Sequence, residues 1–477
     1  MSTKKIFTYT LLALIILIAD SCRMPFMGRI TENKNVPTTY NNSSDSSNTA
    51  RIKWKQFFTD PYLAALIDSA LQNNQEFAIM LQEINIARNE VRARKGQYLP
   101  FINIISGAGL EKVGRYTRQG AVEQNLNIEP GKNFPDPLPD FMLAATATWE
   151  VDIWKKLRNA RKSAIYRYLS TIEGRNFMVT NLVAGLATAY YELMALDNQL
   201  EILKRNIEIQ QNALEIVKLE KASAKVTELA VRKFEAEVLK NQSMQFNIMQ
   251  MITEKENKIN FLTGRFPQPV SRNSQIFTSF VFDSIHAGIP SQLLQHRPDI
   301  RRAELELRAA KIDVKVARAN FYPSLVINAG VGFQSFNPRF LLGTPQSMLY
   351  SIAGNLVAPV INRNAIKAYY YSANARQIQD VYNYEQTILR AYIEVANQLS
   401  NIQNLQKSYE LRDRQVQALT RSIDISTALF KSARADYMEV LMTQRDALES
   451  RFELIDTKLK QMHARVNVYQ ALGGGWE

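Results

Sequence analysis

Hydrophobic and polar residues alternate without interruption from Ala145 to Ile153. A period of two is typical of a β-strand whose two faces meet different surroundings. The segment is therefore predicted to be a strand with one polar face and one apolar face. The polar face comprises Thr146, Thr148, Glu150 and Asp152, and the apolar face includes Trp149, Val151 and Ile153.

Three further segments, 101–110, 325–334 and 348–360, show related alternation. The four segments have roughly 9–13 residues each, the length of a tilted membrane β-strand. The first is less regular, although Ile102, Ile104 and Leu110 share one face. The chain is expected to contain four strands in two hairpins, whose connections at about 111–140 and 337–347 have loop composition.

Long helices are predicted for most of the remaining chain. Regions 186–263 and 360–472 contain no proline or glycine, and their apolar residues recur at helical spacing. Folded into a hairpin of two helices, about 110 residues would reach on the order of 80 Å, a length that favours coiled-coil packing. A shorter amphipathic helix is expected ahead of each strand pair, at 62–98 and 299–321.

The two halves of the chain resemble each other. At an offset of 223 residues, Pro100 corresponds to Pro323 and Gly107 corresponds to Gly330. A repeat of about 200 residues is too long for a solenoid, so the pattern indicates an internal duplication. The predicted divisions are a signal peptide at 1–21, an N-terminal tether at 22–60, a first repeat at 61–265, an inter-repeat linker at 266–296 and a second repeat at 297–477.

The first residues have the features of a secretion signal. Lys4 and Lys5 precede an apolar run at 11–19, and the single cysteine, Cys22, follows closely. The run is too short for a membrane-spanning helix and matches the core of a signal peptide. A signal that ends at a cysteine resembles a bacterial lipoprotein signal, in which the cysteine is acylated. An ordinary signal peptide is the alternative, because Asp20 is polar. The polar residues that follow predict a flexible tether or a peripheral segment.

Four strands cannot span a bilayer alone. Every backbone N–H and C=O in hydrocarbon needs a partner, and the smallest closed barrels have eight strands. Two copies of the chain would supply eight strands, and three would supply twelve with room for a wet lumen. In such a barrel the polar face of 145–153 lines the lumen, and the apolar face meets lipid. The alternative is a soluble sheet that packs one face on helices.

The composition argues against several functions. The net charge of +13 over 477 residues is a modest basic bias, which favours anionic lipid or acidic partners. No Lys/Arg block interleaved with aromatic residues predicts nucleic-acid binding. His286, His296 and His463 are far apart and form no metal-ligand pattern. No phosphate-binding glycine loop or nucleophile–base pair stands out, so we expect neither an enzyme nor a cofactor or metal site.

Several segments resemble the TolC-like outer-membrane efflux factors, and in particular the lipoprotein branch that serves tripartite multidrug pumps. The resemblance covers nearly the whole chain after Cys22. Two of these segments, which contain "LLQHRPDI" and "ALGGGW", are quite specific in combination. The segments are "WKQFFTDPYLAALIDSALQNN", "WEVDIWKKLRNA", "FYPSL", "IPSQLLQHRPDIRRAELELRAA" and "YQALGGGWE".

The resemblance implies an α+β membrane protein that forms a homotrimer. Twelve strands, four from each chain, would form an outer-membrane β-barrel continuous with a long periplasmic α-helical barrel. The implied function is the outer-membrane channel of a tripartite efflux pump, a passive exit duct for drugs or other small molecules. The implied partners are a periplasmic adaptor protein, an inner-membrane pump and outer-membrane lipid.

In the resembled family the pore narrows at the periplasmic helix tips, where acidic residues form rings. Aligning the second tip, "FKSARADYMEVL", places Glu439 where such a residue often occurs, with Tyr437, Arg434 and Asp436 close by. A solvated surface carboxylate is the alternative for Glu439. Ala433 stands where the family often has glycine, and the first tip also lacks glycine.

Two other functions remain open at this point. A type I protein-secretion duct would share the fold, because the duct itself does not reveal its cargo. A non-channel, surface-anchored coiled-coil scaffold would explain the helices and the anchor. A scaffold would not explain the duplicated two-faced strands.

Overall fold

The computed structural model describes residues 27–28, 30–40, 47, 52–280, 287–432 and 434–476. Cys22, the predicted signal peptide, His286 and Ala433 lie outside the described residues. None of the described helices is both long enough and apolar enough to cross a membrane.

Each half contains shorter helices, then two long strands, then two long helices, and the first half also has a short helix and a small hairpin between its long strands. In the first half the elements are α1 Trp54–Phe57, α2 Pro61–Asn73, α3 Gln75–Tyr98, β1 Phe101–Glu111, α4 Arg118–Asn125, β2 Asn127–Glu129, β3 Lys132–Asn133, β4 Leu138–Val151, α5 Lys156–Ala222 and α6 Glu228–Leu262. In the second half they are α7 Leu293–His296, α8 Pro298–Ala319, β5 Ser324–Ser335, β6 Met348–Val357, α9 Asn364–Lys431 and α10 Tyr437–Ala471.

Several elements differ from the sequence prediction. The strand expected from Ala145 begins earlier, at Leu138. The helix expected over 62–98 is interrupted at Asn74. The Asn74 side chain donates to the Leu262 carbonyl at 2.9 Å and accepts from the Phe77 amide at 2.8 Å, so it ends one helix and begins the next. The connection expected as plain loop at 111–140 contains α4 and the small β2–β3 hairpin.

The chain divides into two compact units, and each takes segments from both halves. One unit combines Asn85–Leu169 with Leu305–Val381 and holds the four long strands. These strands form one antiparallel sheet in the order β1-β4-β5-β6. The predicted strands and hairpins are therefore present, and β4 joins β5 so that the two hairpins make a single sheet.

The other unit combines Glu32–Ile84, Ser170–Glu304 and Tyr382–Glu477. Its core surrounds fully buried Leu63, Tyr190 and Phe277. The Tyr190 hydroxyl donates to Asp60 at 2.9 Å, and the same carboxylate caps α2 through the amides of Tyr62 and Leu63. This unit also contains the tips of both long helical hairpins, α5–α6 and α9–α10.

The two most specific sequence segments, "LLQHRPDI" and "ALGGGW", meet inside this second unit. Arg297 donates to the Ala471 carbonyl at 2.8 Å and pairs with Glu394 at 2.8 Å. Gly473 has φ +87°, and a Cβ there would lie 3.0 Å from the Arg297 Cα. A glycine is needed at this position because both the backbone conformation and the close approach exclude a side chain.

Residues 33–40 of the predicted tether contact the helices of this unit. Lys34 pairs with Glu304 at 2.9 Å, and the Asn33 amide donates to Glu385 at 2.7 Å. Tyr40 is only 2% exposed, and its ring stacks on Tyr392 at 5.4 Å. The ion pair connects this segment to α8, and aromatic stacking places Tyr40 against α9.

Candidate functional site

The antiparallel register of the four strands gives the sheet one polar face. Residues opposite each other in such a pair point to the same side, so the register assigns every strand position to a face. None of the four strands contains Lys or Arg. The polar side chains on this face are Asn103, Glu111, Asp140, Thr146, Thr148, Glu150, Asn328, Gln334, Ser351 and Asn355.

The opposite face is apolar on all four strands. Ile104, Tyr350 and Ile352 are each about 80% exposed, so no other part of the described chain covers them. Exposed apolar area on this scale marks a surface that meets lipid or protein. The apolar face includes Ile102, Ile104, Leu110, Phe141, Leu143, Ala147, Trp149, Val151, Ile327, Val331, Phe333, Tyr350, Ile352 and Leu356.

Cross-strand hydrogen bonds tie the polar face together. The Thr148 hydroxyl donates to Asn328 at 3.1 Å, and Gln334 donates to Asp140 at 2.9 Å. These bonds join β4 to β5, the strands at which the two halves of the chain meet. Thr146, Thr148 and Glu150 therefore share a face as the alternation predicted, and Trp149 and Val151 share the other.

Asp152 and Ile153 follow the end of β4. The Asp152 carboxylate accepts from the amides of Leu157 and Arg158 at 3.0 and 2.9 Å and pairs with the Arg158 guanidinium at 3.0 Å. Its side chain is 2% exposed, so it caps the start of α5. The alternation alone had grouped Asp152 with the polar strand positions, and the cap becomes recognisable only once the helix start is known.

The sheet has two open edges. Among the described residues, nothing pairs with the outer side of β1 or of β6. β1 is exposed along its whole length. Because the sheet has four antiparallel strands, its two edge strands run in opposite directions, so β6 of one chain can pair in antiparallel fashion with β1 of another.

The first hairpin tip turns without glycine. Ala224 has φ +58°, in the left-handed region, and its amide donates to the Lys221 carbonyl at 2.9 Å. Glu228, the first residue of α6, pairs with Lys221 and with Arg232, and these cations hold the pKa of Glu228 below its usual value.

The second hairpin tip holds the four predicted gate residues. Arg434, Asp436 and Glu439 are exposed, and they form no ion pair with any described residue. Tyr437 is half-buried and packs on a cluster with Phe234 and Leu441. The structure thus leaves two carboxylates and one guanidinium on the surface of the tip, and uses the tyrosine ring for packing.

An ion-pair network that the sequence analysis missed fixes the linker between the repeats. Arg272 pairs with Asp197 at 2.5 Å and also with Glu256. Burial would lower the pKa of Arg272, but the hydrogen bonds with Asp197 and Glu256 raise it overall. The partners are 75 and 16 residues away, so no local pattern could have revealed them. Within the described ranges, no cluster of His, Cys, Asp or Glu is placed to hold a metal ion.

Known proteins resemble this chain along most of its length. The Pseudomonas aeruginosa pyoverdine export outer membrane protein OpmQ is 27% identical over 429 residues, covering 89% of this chain and 88% of that protein. The cation efflux system protein CusC of Escherichia coli O6:H1 is 26% identical, with coverage of 89% and 88%. The toluene efflux pump outer membrane protein TtgI of Pseudomonas putida is 26% identical, with coverage of 90% and 88%.

Solved structures share the fold. A crystal structure of CusC aligns with a TM-score of 0.81 at 24% identity, covering 94% of this chain and 99% of that one. The open state of the Neisseria gonorrhoeae MtrE outer membrane channel aligns at 0.82 and 21% identity, with coverage of 95% and 99%. Residues 66–265 and 289–474 match the profile of one family, and on this match the chain belongs to the outer membrane efflux protein family.

Proposed function

We propose that three copies of this chain form the outer-membrane channel of a tripartite efflux pump, and that the channel carries out no catalysis. The observation that carries the proposal is the continuous two-faced sheet with both edges unpaired. In a closed ring the apolar face meets lipid, and the polar face lines a water-filled lumen. On this proposal Thr146, Thr148 and Glu150 are on the lumen side, and Trp149, Val151 and Ile153 are on the lipid side. Asp152 caps α5 instead of facing the lumen.

The number of copies follows from the strand count. Two copies would make eight strands, and eight-stranded barrels are filled by their own side chains. Three copies make twelve strands and leave space for solutes. Opposite directions of β1 and β6 allow every contact between copies to be the same antiparallel pair, which is the condition for a closed ring.

Passage through the channel is passive in this proposal. A periplasmic adaptor protein and an inner-membrane pump supply docking and energy. The named cargoes of the similar proteins are chemically unlike: pyoverdine for OpmQ, cations for CusC and toluene for TtgI. Such variety supports a duct for small molecules whose cargo is selected by the pump rather than by the channel wall.

The proposal includes the chain's divisions and its anchor. The signal peptide at 1–21 is removed, Cys22 is acylated, and 22–60 tethers the first repeat at 61–265. The linker at 266–296 leads to the second repeat at 297–477. The strands lie in the outer membrane, and the helical hairpins extend into the periplasm, with Arg434, Asp436, Tyr437 and Glu439 at the gate.

Cross-linking between the two sheet edges tests the ring. Ser106→Cys on β1 is combined in turn with Tyr350→Cys, Ile352→Cys or Gly354→Cys on β6, all on the apolar face. A ring of three predicts that one of these pairs gives covalent dimers and trimers on a denaturing gel, and nothing larger. The control pair, Ser106→Cys with Ala329→Cys, should not cross-link because β5 is an interior strand.

Channel activity completes the test. Purified protein should migrate as a compact oligomer on an unheated gel and conduct ions in planar bilayers. If the cross-linked products stop at the dimer, the ring contains two copies and eight strands instead of three copies and twelve strands. If the purified protein is monomeric and does not conduct ions, the channel proposal is wrong. The non-channel scaffold would then be the remaining function.

A further inference from the structure

Three helices pack together twice, at two separate apolar clusters. The tip cluster contains Leu214 and Val217 of α5, Val231, Phe234 and Val238 of α6, and Leu441 of α10. The second cluster contains Leu203 and Ile207 of α5, Ile248 of α6, and Leu448 of α10. Because the same three helices build both clusters, residues between the two sets lie side by side at one level.

That level is occupied by amides instead of apolar residues. Gln210, Asn241 and Gln444 lie between the two sets of apolar residues and are 1%, 1% and 4% exposed. Asn206, 7% exposed, lies about one turn away, between Leu203 and Ile207 of the second cluster. The Asn241 side chain donates to Gln210 at 2.7 Å. We call these four residues the amide layer. Burial of polar side chains inside an apolar helix bundle lowers stability, so their presence calls for an explanation.

The unused hydrogen-bonding groups of the layer are complementary. Asn206 Nδ2 and Gln210 Nε2 are donors on the first hairpin, and neither has a partner among the described residues. Gln444 Oε1, on the second hairpin, is an acceptor and is likewise unpaired there.

The amide layer differs between the two halves of the duplicated chain. At the tips the halves align at an offset of 209, which relates Ala222 to Lys431 and Glu228 to Tyr437. At this offset Gln210 corresponds to Leu419, and Asn241 corresponds to Ser450. The second hairpin therefore lacks the hydrogen-bonded amide pair.

We propose that the amide layer selects the partner and the axial register of α10 against the first hairpin. Helices α6 and α10 both have 35 residues and share an ancestry, so apolar contacts alone would tolerate alternative pairings. A buried polar residue in a coiled-coil core sets register and partner at a cost in stability. The layer supplies that selection here.

Helix slippage is costly with the layer in place. Leu441 and Leu448 are one heptad apart, and Gln444 lies between them. Moving α10 by one turn brings a leucine against Gln210 and Asn241 and moves Gln444 toward an apolar cluster. The Asn241–Gln210 bond joins α5 to α6 and survives the slip, but a leucine cannot accept from the remaining donors, Asn206 Nδ2 and Gln210 Nε2, and Gln444 moves away from them. An all-apolar layer would lack this penalty.

Giving the first hairpin the residues of the second tests the proposal. The variant Gln210→Leu/Asn241→Ser is made in the full-length protein, together with cysteine pairs that report register. Lys233 Nζ lies 3.4 Å from Met438 Sδ, so Lys233→Cys with Met438→Cys reports the native register. Lys233→Cys with Met442→Cys reports a slip of one turn in one direction, and Glu237→Cys with Met438→Cys reports a slip of one turn in the other.

We expect a short bis-maleimide to link the native pair predominantly in the parent protein. The layer variant should change the ratio of native to slipped links about tenfold, which corresponds to ~1.4 kcal/mol. Gln415→Leu is the matched control, because Gln415 is the exposed counterpart of Asn206. It should leave the ratio unchanged.

A second variant separates register from folding. Replacing all four layer residues by leucine should raise the thermal midpoint while producing the same increase in slipped links. The cross-linked positions are mapped by peptide mass spectrometry on the assembled protein. If both layer variants form only the cross-link of the native register, the proposal is wrong. The cross-link positions are determined without measuring channel activity, so the result tests this proposal separately from the proposed function.

Discussion

The cap formed by Asp152 gives the first residue-level prediction. Asp152→Ala removes the two hydrogen bonds to backbone amides that begin α5, together with the bond from the Arg158 guanidinium. The expected loss is about 1–3 kcal/mol in the free energy of unfolding. It should appear as a lower temperature of trimer dissociation on gels. Asp152→Asn should lose less, because an amide oxygen still caps. An unchanged temperature for Asp152→Ala would contradict the cap.

The left-handed turn at Ala224 gives the second residue-level prediction. A left-handed L-residue carries about 1–2 kcal/mol of steric cost, which glycine avoids. Ala224→Gly should therefore be neutral or stabilise by about 1 kcal/mol, after the greater flexibility of unfolded glycine is subtracted. The neighbouring Ser223→Gly, at a position without positive φ, should destabilise. The midpoints of urea unfolding are measured for both variants. Equal destabilisation by Ala224→Gly and Ser223→Gly would contradict a steric cost at Ala224.

Residue roles were only partly predictable from the sequence. Alternation grouped Thr146 with Thr148 and Trp149 with Val151 because those side chains sit inside one strand. It could not foresee the role of Asp152, whose carboxylate serves the next helix. The amide layer gave no signal either, because its members come from three helices and only the packing brings them to one level.

At the element scale, opposite faces of β4 should respond differently to charge. Ala147→Arg places a cation on the apolar face, at an expected cost of about 2–4 kcal/mol per chain near the bilayer midplane. Thr146→Arg, one residue away on the polar face, lies opposite Gly330 and has access to water. The yield of heat-modifiable trimer should fall sharply for the first and little for the second. Equal yields, or the reverse order, would indicate a register shifted by one residue.

Elements with strong periodicity were predictable, and elements set by distant contacts were not. Both strand pairs and the two proline-free and glycine-free helical regions follow directly from local pattern. The break at Asn74 depends on the Leu262 carbonyl, 188 residues away. The packing of the 32–40 segment depends equally on distant partners such as Tyr392 and Glu304.

For the whole molecule, the anchor and the barrel should be separable. Cys22→Ser should abolish incorporation of a labelled fatty acid, since the variant has no cysteine left to acylate. The protein should nevertheless stay in the outer-membrane fraction, because the barrel would still hold the chain in the membrane. Persistence of label in the variant would rule out acylation at Cys22.

Ion selectivity tests the proposed gate in the assembled channel. Three copies of Glu439 around a narrow axis would place like charges close together and attract cations. Glu439→Lys should shift the reversal potential under a KCl gradient toward anion preference, and Glu439→Ala should shift it partway. An unchanged potential in both variants, with conductance intact, would place the constriction elsewhere. Glu453→Lys is a control, because that carboxylate is already paired with Arg412.

The open edges of the sheet also have a genetic consequence. In the proposed ring each chain's β1 depends on its neighbour's β6, so a chain with one damaged edge still offers an intact edge to recruit healthy copies. Such a chain would trap normal subunits in rings that cannot close. Alleles that damage β1 or β6 should therefore be dominant over a normal copy of the gene, whereas alleles that prevent synthesis of the chain should be recessive.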